Sequence, residues 1–508
     1  MDNHAEPYYD AVLVSPPSRM VNHYRPPVAL LYIAGYLRKQ GLSVRIIDVP
    51  MKETVRTKAF YSNLLQTLQG IEDEMVRQFK SLRTKVVGIT CYSTEYSEVM
   101  SLARRFKAAQ PGVTVVVGGA HPTLYPESLF DEEDRPVDVV VIGDGELTMH
   151  ELTAAILRGN PDYSAIKGIA YYDPATRQVV ETPRREVAED LDAISFPAYD
   201  LVDMDYYATA SPYAIKGILL RATHVLGGRG CPSACTFCVA KKVRAASGGG
   251  KYLRMRSACS LFEEVKMLRD NYGIDAFLFL DDLFALNKPN VLEFCSLMRE
   301  AKLDMPWSCI SKVTLMDEEM LRAMAAAGCI QIEFGVERGS DRALRLIKKG
   351  ITVAQVIEVF DLCHKYGIRT YANMLINLPE ETEEDLQDIL NLLKRLRSEV
   401  VALNTFFPYP GTEIYDLWDQ KFTREDLPLL SFAHPRCAEI LERARFGKHQ
   451  VDCLKWCEIH MRKFNKLAPY VKFYLSPRYW RTILRSRHKA SYLAGLSILF
   501  REFVKNKF

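Results

Sequence analysis

This 508-residue sequence has no long apolar run. The cleanest stretches, AVLV at 11–14 and LAGLSILF at 493–500, fall well short of the roughly 20 residues a membrane span needs. Charge of either sign is not in excess: a net +3 is too near zero to recruit the phosphates of nucleic acid, and no nucleic-acid partner is expected. The opening MDNHAEPYYD is polar and acidic and lacks the basic-then-apolar order of a signal peptide. Cysteine is sparse, 12 in all, which excludes a disulfide scaffold. Most stand singly in apolar surroundings, as buried thiols do (Cys91, Cys295, Cys309, Cys329, Cys363). A reducing, cytoplasmic setting is therefore expected, in which clustered cysteines mean metal or redox chemistry before disulfides. Solenoid repeats and low-complexity tracts are missing too, so repeat arrays are excluded. What is there, 48% hydrophobic and 25% charged residues, describes an ordinary globular chain of more than one domain.

Within 1–160 short β-branched runs alternate with amphipathic helices. Candidate strands are AVLVS (11–15), SVRIID (43–48), KVVGIT (85–90), VTVVVGG (113–119) and VDVVVIG (137–143). Near-continuous apolar strands joined by helical crossovers imply a parallel sheet covered on both faces. The expectation is an α/β, flavodoxin-like, doubly wound domain whose ligand sits beyond the carboxyl ends of the strands. Residues 161–215 are expected to be a linker, with GIAYYDPATRQVVETP (168–183) as a hairpin inside it. From 216 to 412 the alternation restarts, with THVLGG (223–228), AFLFLDD (276–282), WSCISK (307–312), IQIEFGVE (330–337), RTYANMLIN (369–377) and VALNTFFPYP (401–410) as strands. Six β/α units fit a partial (β/α)6 TIM-type barrel with function at the strands' C-terminal ends. Residues 413–508 read as a helical, basic C-terminal region. From Arg462 onward there are 12 Lys or Arg against one acid, Glu502.

One loop carries chemistry. GCPSACTFC (230–238), directly after the first barrel strand, sets Cys231, Cys235 and Cys238 at spacing C-x3-C-x2-C with no fourth cysteine or histidine close by. Zinc is the competing reading, yet a structural zinc wants four protein ligands. A four-iron cluster held by three cysteines keeps one iron free for substrate or cofactor, which accounts for the open position.

CPSACTFC at this point of a (β/α)6 pattern resembles the radical S-adenosylmethionine (SAM) enzymes. The resemblance implies a [4Fe-4S] cluster on Cys231, Cys235 and Cys238 whose open iron chelates SAM. An external donor such as flavodoxin or ferredoxin would reduce it, and SAM would be cleaved to a 5′-deoxyadenosyl radical. Phe237 would lie against the adenine, the other reading being a core aromatic. GVERGS (335–340) resembles the segment whose glutamate contacts the cofactor, here Glu337, with Arg338 as partner for the methionyl carboxylate. LDD (280–282) sets Asp281 and Asp282 at the mouth of the second strand. Adjacent strand residues face opposite sides, so at most one of them faces into the barrel, and each also reads as a loop or helix cap. Related families read G-x-P-x-E-T where this chain has NLPEET, so Asn377 replaces glycine and puts close backbone approach there in question. PYPGT (408–412) follows the pattern.

In the first domain VSPPS, CYST, GGAHPT and GDGE follow the first, third, fourth and fifth strands and line one edge of the sheet. Together they resemble the cobalamin-binding domain that precedes the barrel in one radical SAM class, which holds class B methyltransferases and an anaerobic magnesium-protoporphyrin cyclase-like group. The resemblance implies cobalamin contacts from Ser93, Thr94, Gly118, Gly119, His121, Pro122, Thr123, Gly143, Gly145 and Glu146. The D-x-H-x-x-G motif that carries a histidine to cobalt is absent. His121 is the candidate ligand in the right loop; orienting that loop or contacting a corrin side chain is the other reading. Methylthiotransfer to RNA, which needs three more N-terminal cysteines, is excluded, because only Cys91 precedes Cys231.

The implied activity is methylation of an unactivated carbon of a small-molecule or lipid-like substrate, with two SAM consumed per product. The alternative is a cobalamin-dependent cyclase, oxidase or rearranging enzyme without methyl transfer. A pure cobalamin sensor has no use for an open iron. No residue is singled out as a catalytic acid or base. The tail VKFYLSPRYWRTILRSRHKASYLAGLSILFREFVKNKF mixes Arg and Lys with Tyr, Trp, Leu and Phe. It suits peripheral membrane contact, a cover over the barrel mouth, a surface for an anionic substrate, or a solvated helix packed on the barrel. Cys453 and Cys457, at i and i+4, are a candidate auxiliary metal pair.

Overall fold

The computed structural model describes residues 6–18, 25–50, 64–246, 248, 251–430, 436–465 and 472–505. Side chains from 498 onward, including the end of the LAGLSILF run, lie outside the described residues. The chain forms two compact units. One comprises residues 1–204, 242–252 and 419–440, the other 205–241, 253–418 and 441–508.

In the first unit β1 (Ala11–Ser15), β2 (Val44–Asp48), β3 (Val86–Thr90), β4 (Thr114–Gly118) and β5 (Val139–Val141) run parallel in the order β2-β1-β3-β4-β5. Residues of both parities are buried, Val12 beside Leu13 and Val116 beside Val117, because helices cover both faces. Helices α1 (Val28–Lys39) and α4 (Gly145–Arg158) pack on each other, as do α2 (Leu64–Lys80) and α3 (Tyr96–Ala109). The hairpin β6 (Ile169–Asp173) and β7 (Gln178–Glu181) is more than linker: it extends this sheet antiparallel beyond β5. Its apolar start decides that, since Ile169 and Ala170 are fully buried against Val141 and Val140. Asp173 closes the turn by accepting from the Ala175 amide at 2.9 Å. Residues 419–440, expected with the C-terminal helices, also belong to this unit. Their turn Leu427–Leu430 is buried against Ser93–Glu95 and α3.

The second unit holds six parallel strands in sequential order: β8 (Ala222–Val225), β9 (Ala276–Phe279), β10 (Trp307–Ser311), β11 (Cys329–Glu337), β12 (Arg369–Ile376) and β13 (Val400–Thr405). Helices α5 (Ala258–Tyr272), α6 (Lys288–Glu300), α7 (Glu318–Ala326), α8 (Val353–Lys365) and α9 (Glu383–Leu396) connect them. Phe334 of β11 meets Phe360 of α8, ring centroids 5.3 Å apart, so the even positions of β11 face the helices. Gln331, Glu333 and Gly335 therefore share the opposite, barrel-interior face, and the Glu337 carboxylate lies over Gly335 on that side. Helix α9 shows how locally the sequence sets these boundaries. Thr382 caps it, Glu383, Glu384 and Asp385 occupy its first turn, Lys394 and Arg395 its last.

The last two helices of the tail dock at the amino-terminal ends of the strands. Helix α10 (Cys453–Phe464) lies along β13, and α11 (Pro477–Arg485) and α12 (Lys489–Lys505) follow. Tyr479 and Tyr492 are buried with Ile215, Leu219, Ala276 and Ile330. Tyr492 donates to Asp275 Oδ2 at 2.9 Å, and Ser491 Oγ accepts from the Ala210 amide at 2.8 Å. Asp275 precedes β9, Ala276 begins it and Ile330 is the second residue of β11, so α11 and α12 do not cover the barrel mouth as one sequence reading allowed. The apolar anchors that hold them sit at the other end. Cys457 Sγ lies 3.7 Å from Thr405 Oγ1 and Cys453 Sγ donates to Val451 O at 3.7 Å, and among the described residues neither thiol belongs to a group of three or more metal-ligating side chains.

Candidate functional site

Strand β8 ends at Val225, and the chain turns sharply to deliver the three cysteines. The Gly227 amide donates to Asp281 Oδ1 at 2.6 Å. A Cβ at Gly227 would stand 2.8 Å from Asp281 Oδ2, so only glycine lets the loop approach that carboxylate. Past the turn, Thr236 donates its amide to Ile347 O at 3.2 Å and accepts from the Ile414 amide at 3.1 Å. The loop is thus stapled to segments beyond β11 and β13. Cys235 is buried, while Cys231 and Cys238 are half-buried, and none is disulfide-bonded. Burial pushes the Cys235 and Cys238 thiols up; Lys349 and Lys312 pull Cys235 back toward the thiolate. The loop supplies three unbridged thiols, the residue types of an iron–sulfur donor set, although among the described residues no three His, Cys, Asp or Glu side chains are gathered closely enough to hold a metal ion.

The other residues expected around this loop divide. Glu337 ends β11 at φ +67, and the strand register shifts between Gly335 and Glu337. Its Oε1 accepts from Lys349 Nζ at 2.9 Å. A Cβ on Gly335 would crowd both members of that pair. Lys349 Nζ also stands 5.6 Å from the centroid of the Phe237 ring, which packs against Ile347, Leu378, Phe406 and Ile414. Asp281 and Asp282, past the end of β9, differ: Asp281 is 2% exposed, while Asp282 is on the surface with a carboxyl that partial burial still pushes up. Burial raises Asp281 to about 7 even though the Gly227 amide hydrogen bond opposes it, and its Oδ2 has no hydrogen-bond partner.

Arg338 corrects a sequence expectation. Its guanidinium is buried, pairs with Glu381, donates to Leu375 O at 3.1 Å and lies 4.0 Å from Asp385. Those partners tie β11 to the end of β12 and leave the arginine no face for a methionyl carboxylate. Asn377 resolves the doubt about its loop. It takes φ +67, a left-handed conformation asparagine tolerates as glycine does. Its side chain then donates to Phe406 O at 3.1 Å and Ala444 O at 2.8 Å and accepts from the Phe446 amide at 3.0 Å.

In the first unit the expected cobalamin residues line the carboxyl edge of the sheet. Gly119, at φ +118, is required: a Cβ there would stand 2.8 Å from Cys91 O. Gly118 ends β4 beside it, and Gly143, at φ +83, faces open space. Thr123 Oγ1 donates to Gly119 O at 2.7 Å and accepts from the Gly143 amide at 3.0 Å, joining the two loops. Gly145 opens α4, with Glu146 buried in its first turn. Pro122 is buried in the turn Ala120–Leu124. Thr94 is buried with no hydrogen-bond partner for its Oγ1. A glycine-lined edge with an orphaned hydroxyl fits a large planar cofactor.

His121 is not offered to a metal. Its Nδ1 lies 2.9 Å from Ser93 Oγ and its Nε2 3.0 Å from Ser128 Oγ, and burial lowers the imidazole to about 4. The ring bridges Ser93 and Ser128. Sequence reasoning missed Lys312 and Lys349, which belong to no phrase the resemblance used, and Glu95, which burial raises to about 7 beside Thr94. A lysine directly after an apolar strand end, as in WSCISK, was the available signal.

Comparison with known proteins adds independent findings. Residues 225–393 match the profile of the Radical SAM superfamily and residues 20–153 that of the B12 binding domain. The chain is 29% identical over 474 residues to an uncharacterized methyltransferase of Pyrococcus horikoshii, covering 92% of this chain and 93% of that one. It is 28% identical over 445 residues to the cytidylyl-2-hydroxyethylphosphonate methyltransferase of Streptomyces wedmorensis, covering 80% and 81%. Among solved structures, the radical S-adenosylmethionine methyltransferase TsrM of Kitasatospora setae shares the fold, with TM-score 0.61 and 20% identity over 80% of this chain and 76% of that one.

Proposed function

We infer, for a chain that joins a B12-binding domain to a radical SAM domain, that it methylates an unactivated carbon of a small-molecule or lipid-like substrate. Its cofactors are a [4Fe-4S] cluster, SAM and cobalamin. The observation that carries this reading is the loop of three free thiols with no fourth cysteine or histidine near it in sequence, in a chain that an uncharacterized methyltransferase matches over 92% of its length. When bound, the cofactors supply radical hydrogen abstraction and a methyl donor.

The protein's part is to hold and orient. Cys231, Cys235 and Cys238 bind the cluster as thiolates. Glu337 accepts from the methionyl amine or the ribose hydroxyls, and Phe237 gives the adenine an apolar wall. Asp281 braces the turn at Gly227, while Asp282, on the surface, is the acid free to meet cofactor. Gly118, Gly119, Gly143 and Gly145 let the backbone approach the corrin, Ser93, Thr94 and Thr123 offer hydroxyls, and His121, Pro122 and Glu146 shape the loops. With both its nitrogens held by serines, His121 would not serve as a ligand to the cobalt. A flavodoxin or ferredoxin supplies electrons, and the free thiols suit the cytoplasm.

No helix among the described residues is long and apolar enough to cross a membrane. Peripheral contact is the reading for the tail. Its inner face is anchored by Tyr479 and Tyr492, while Leu475, Trp480, Leu484, Leu493 and Leu496 are exposed among Arg481, Arg485, Arg487 and Lys489.

The deciding experiment uses anaerobic protein loaded with cluster and cobalamin and given SAM, a reductant and a metabolite extract as the source of substrate. The expected products are 5′-deoxyadenosine and S-adenosylhomocysteine together. 5′-Deoxyadenosine formed together with a modified product but no S-adenosylhomocysteine would remove methyl transfer and leave the cyclase, oxidase or rearranging reading.

A further inference from the structure

A SAM molecule held at the cysteine loop brings a carboxylate, and the cation for it is not Arg338. Glu381, Asp385 and Leu375 O already occupy that guanidinium. Lys349, the nearest alternative, is paired with Glu337. One more ammonium reaches the loop. Lys312 follows the last residue of β10, at the carboxyl end of the strands, and its Nζ lies 3.5 Å from Ser233 Oγ, between Cys231 and Cys235 in sequence. Its charged neighbours are Cys235, Cys231 and Lys349. Among the described residues no carboxylate forms an ion pair with it. A half-buried ammonium facing thiols and another ammonium lacks an anionic partner. The glycine at 350 leaves it room, since a Cβ there would come within 3.3 Å of Nζ.

We propose that Lys312 is the positioning residue for the methionyl carboxylate of SAM, the place sequence reasoning gave to Arg338. This rests on the reading of the loop as a SAM site. A charge-assisted hydrogen bond from Lys312 favours the chelating conformer, in which the carboxylate faces the cysteine loop. The neighbouring Glu337–Lys349 pair then presents an acceptor to the amine, so the two ends of the amino acid are told apart by charge.

The test compares dissociation constants for SAM and for decarboxylated SAM, which keeps adenosine, sulfonium and amine and lacks only the carboxylate. Cluster-loaded wild type, Lys312→Gln and Lys312→Arg are matched by iron and sulfide content. In Lys312→Gln, SAM is expected to bind about tenfold more weakly or worse, with decarboxylated SAM changed less than about twofold. Lys312→Arg should restore SAM binding. Unchanged SAM affinity in Lys312→Gln overturns the assignment, and so does an equal loss of both ligands. Failure of the wild type to bind SAM would instead remove the site reading beneath it.

Discussion

His121 shows how a single side chain decides a cofactor's surroundings. Sandwiched between Ser93 and Ser128 and nearly inaccessible, it stays neutral down to about pH 4 in the folded protein, against an ordinary 6.5. Between these values the unfolded chain binds the extra proton. The stability that neutral His121 contributes is therefore complete above about pH 6.5 and lost as pH falls toward 4, by up to about 3 kcal/mol. Glu95, raised to about 7, titrates in the opposite sense, so the comparison must be against a variant. Urea unfolding of wild type and His121→Asn is expected to show a stability difference that narrows as pH falls from 6.5 to 4. Parallel curves would contradict the buried, neutral ring. At this scale the sequence was uneven. Three cysteines in one loop declare themselves. Arg338 did not, because Glu381 and Asp385 lie more than 40 residues further along and only the fold brings them to it.

The elements were easier to read than the contacts between them. Strands β1, β3, β4 and β10 to β12 fall within a residue or so of the apolar runs that mark them, since parallel strands buried on both faces leave uninterrupted Val and Ile. Three things were hidden. The hairpin β6–β7 needs β5 as a partner, the turn Leu427–Leu430 returns to the first unit, and helices α11 and α12 dock at the end of the strands remote from the cysteine loop. Pairings of that range leave no local trace. Asn377 is the element-scale latch, tying the end of β12 to Phe406 O, Ala444 O and the Phe446 amide. Asn377→Ala loses these three bonds and strains the left-handed backbone, so about 2–4 kcal/mol of unfolding free energy should disappear. Asn377→Gly should recover only the backbone share. A melting temperature unchanged in both variants would show that the latch is idle.

At the scale of the whole molecule charge is unevenly spread. The segment from Arg462 carries most of the basic excess, which leaves the remainder of the chain net acidic. Peripheral attachment through the tail predicts that the full chain floats with anionic vesicles and stays behind with neutral ones. Trp480→Ser combined with Leu484→Ser should abolish flotation without changing the far-ultraviolet circular dichroism, since both side chains are more than half exposed. Flotation that survives the double substitution would assign membrane contact elsewhere, and none in the wild type would remove it. The claim beneath all of this is that three thiols hold a cluster whose fourth iron takes SAM. Electron paramagnetic resonance of the anaerobically reconstituted, dithionite-reduced protein tests it most directly. A reduced four-iron signal that shifts when SAM is added is the predicted result. A protein that carries zinc instead, or a cluster signal indifferent to SAM, would contradict it.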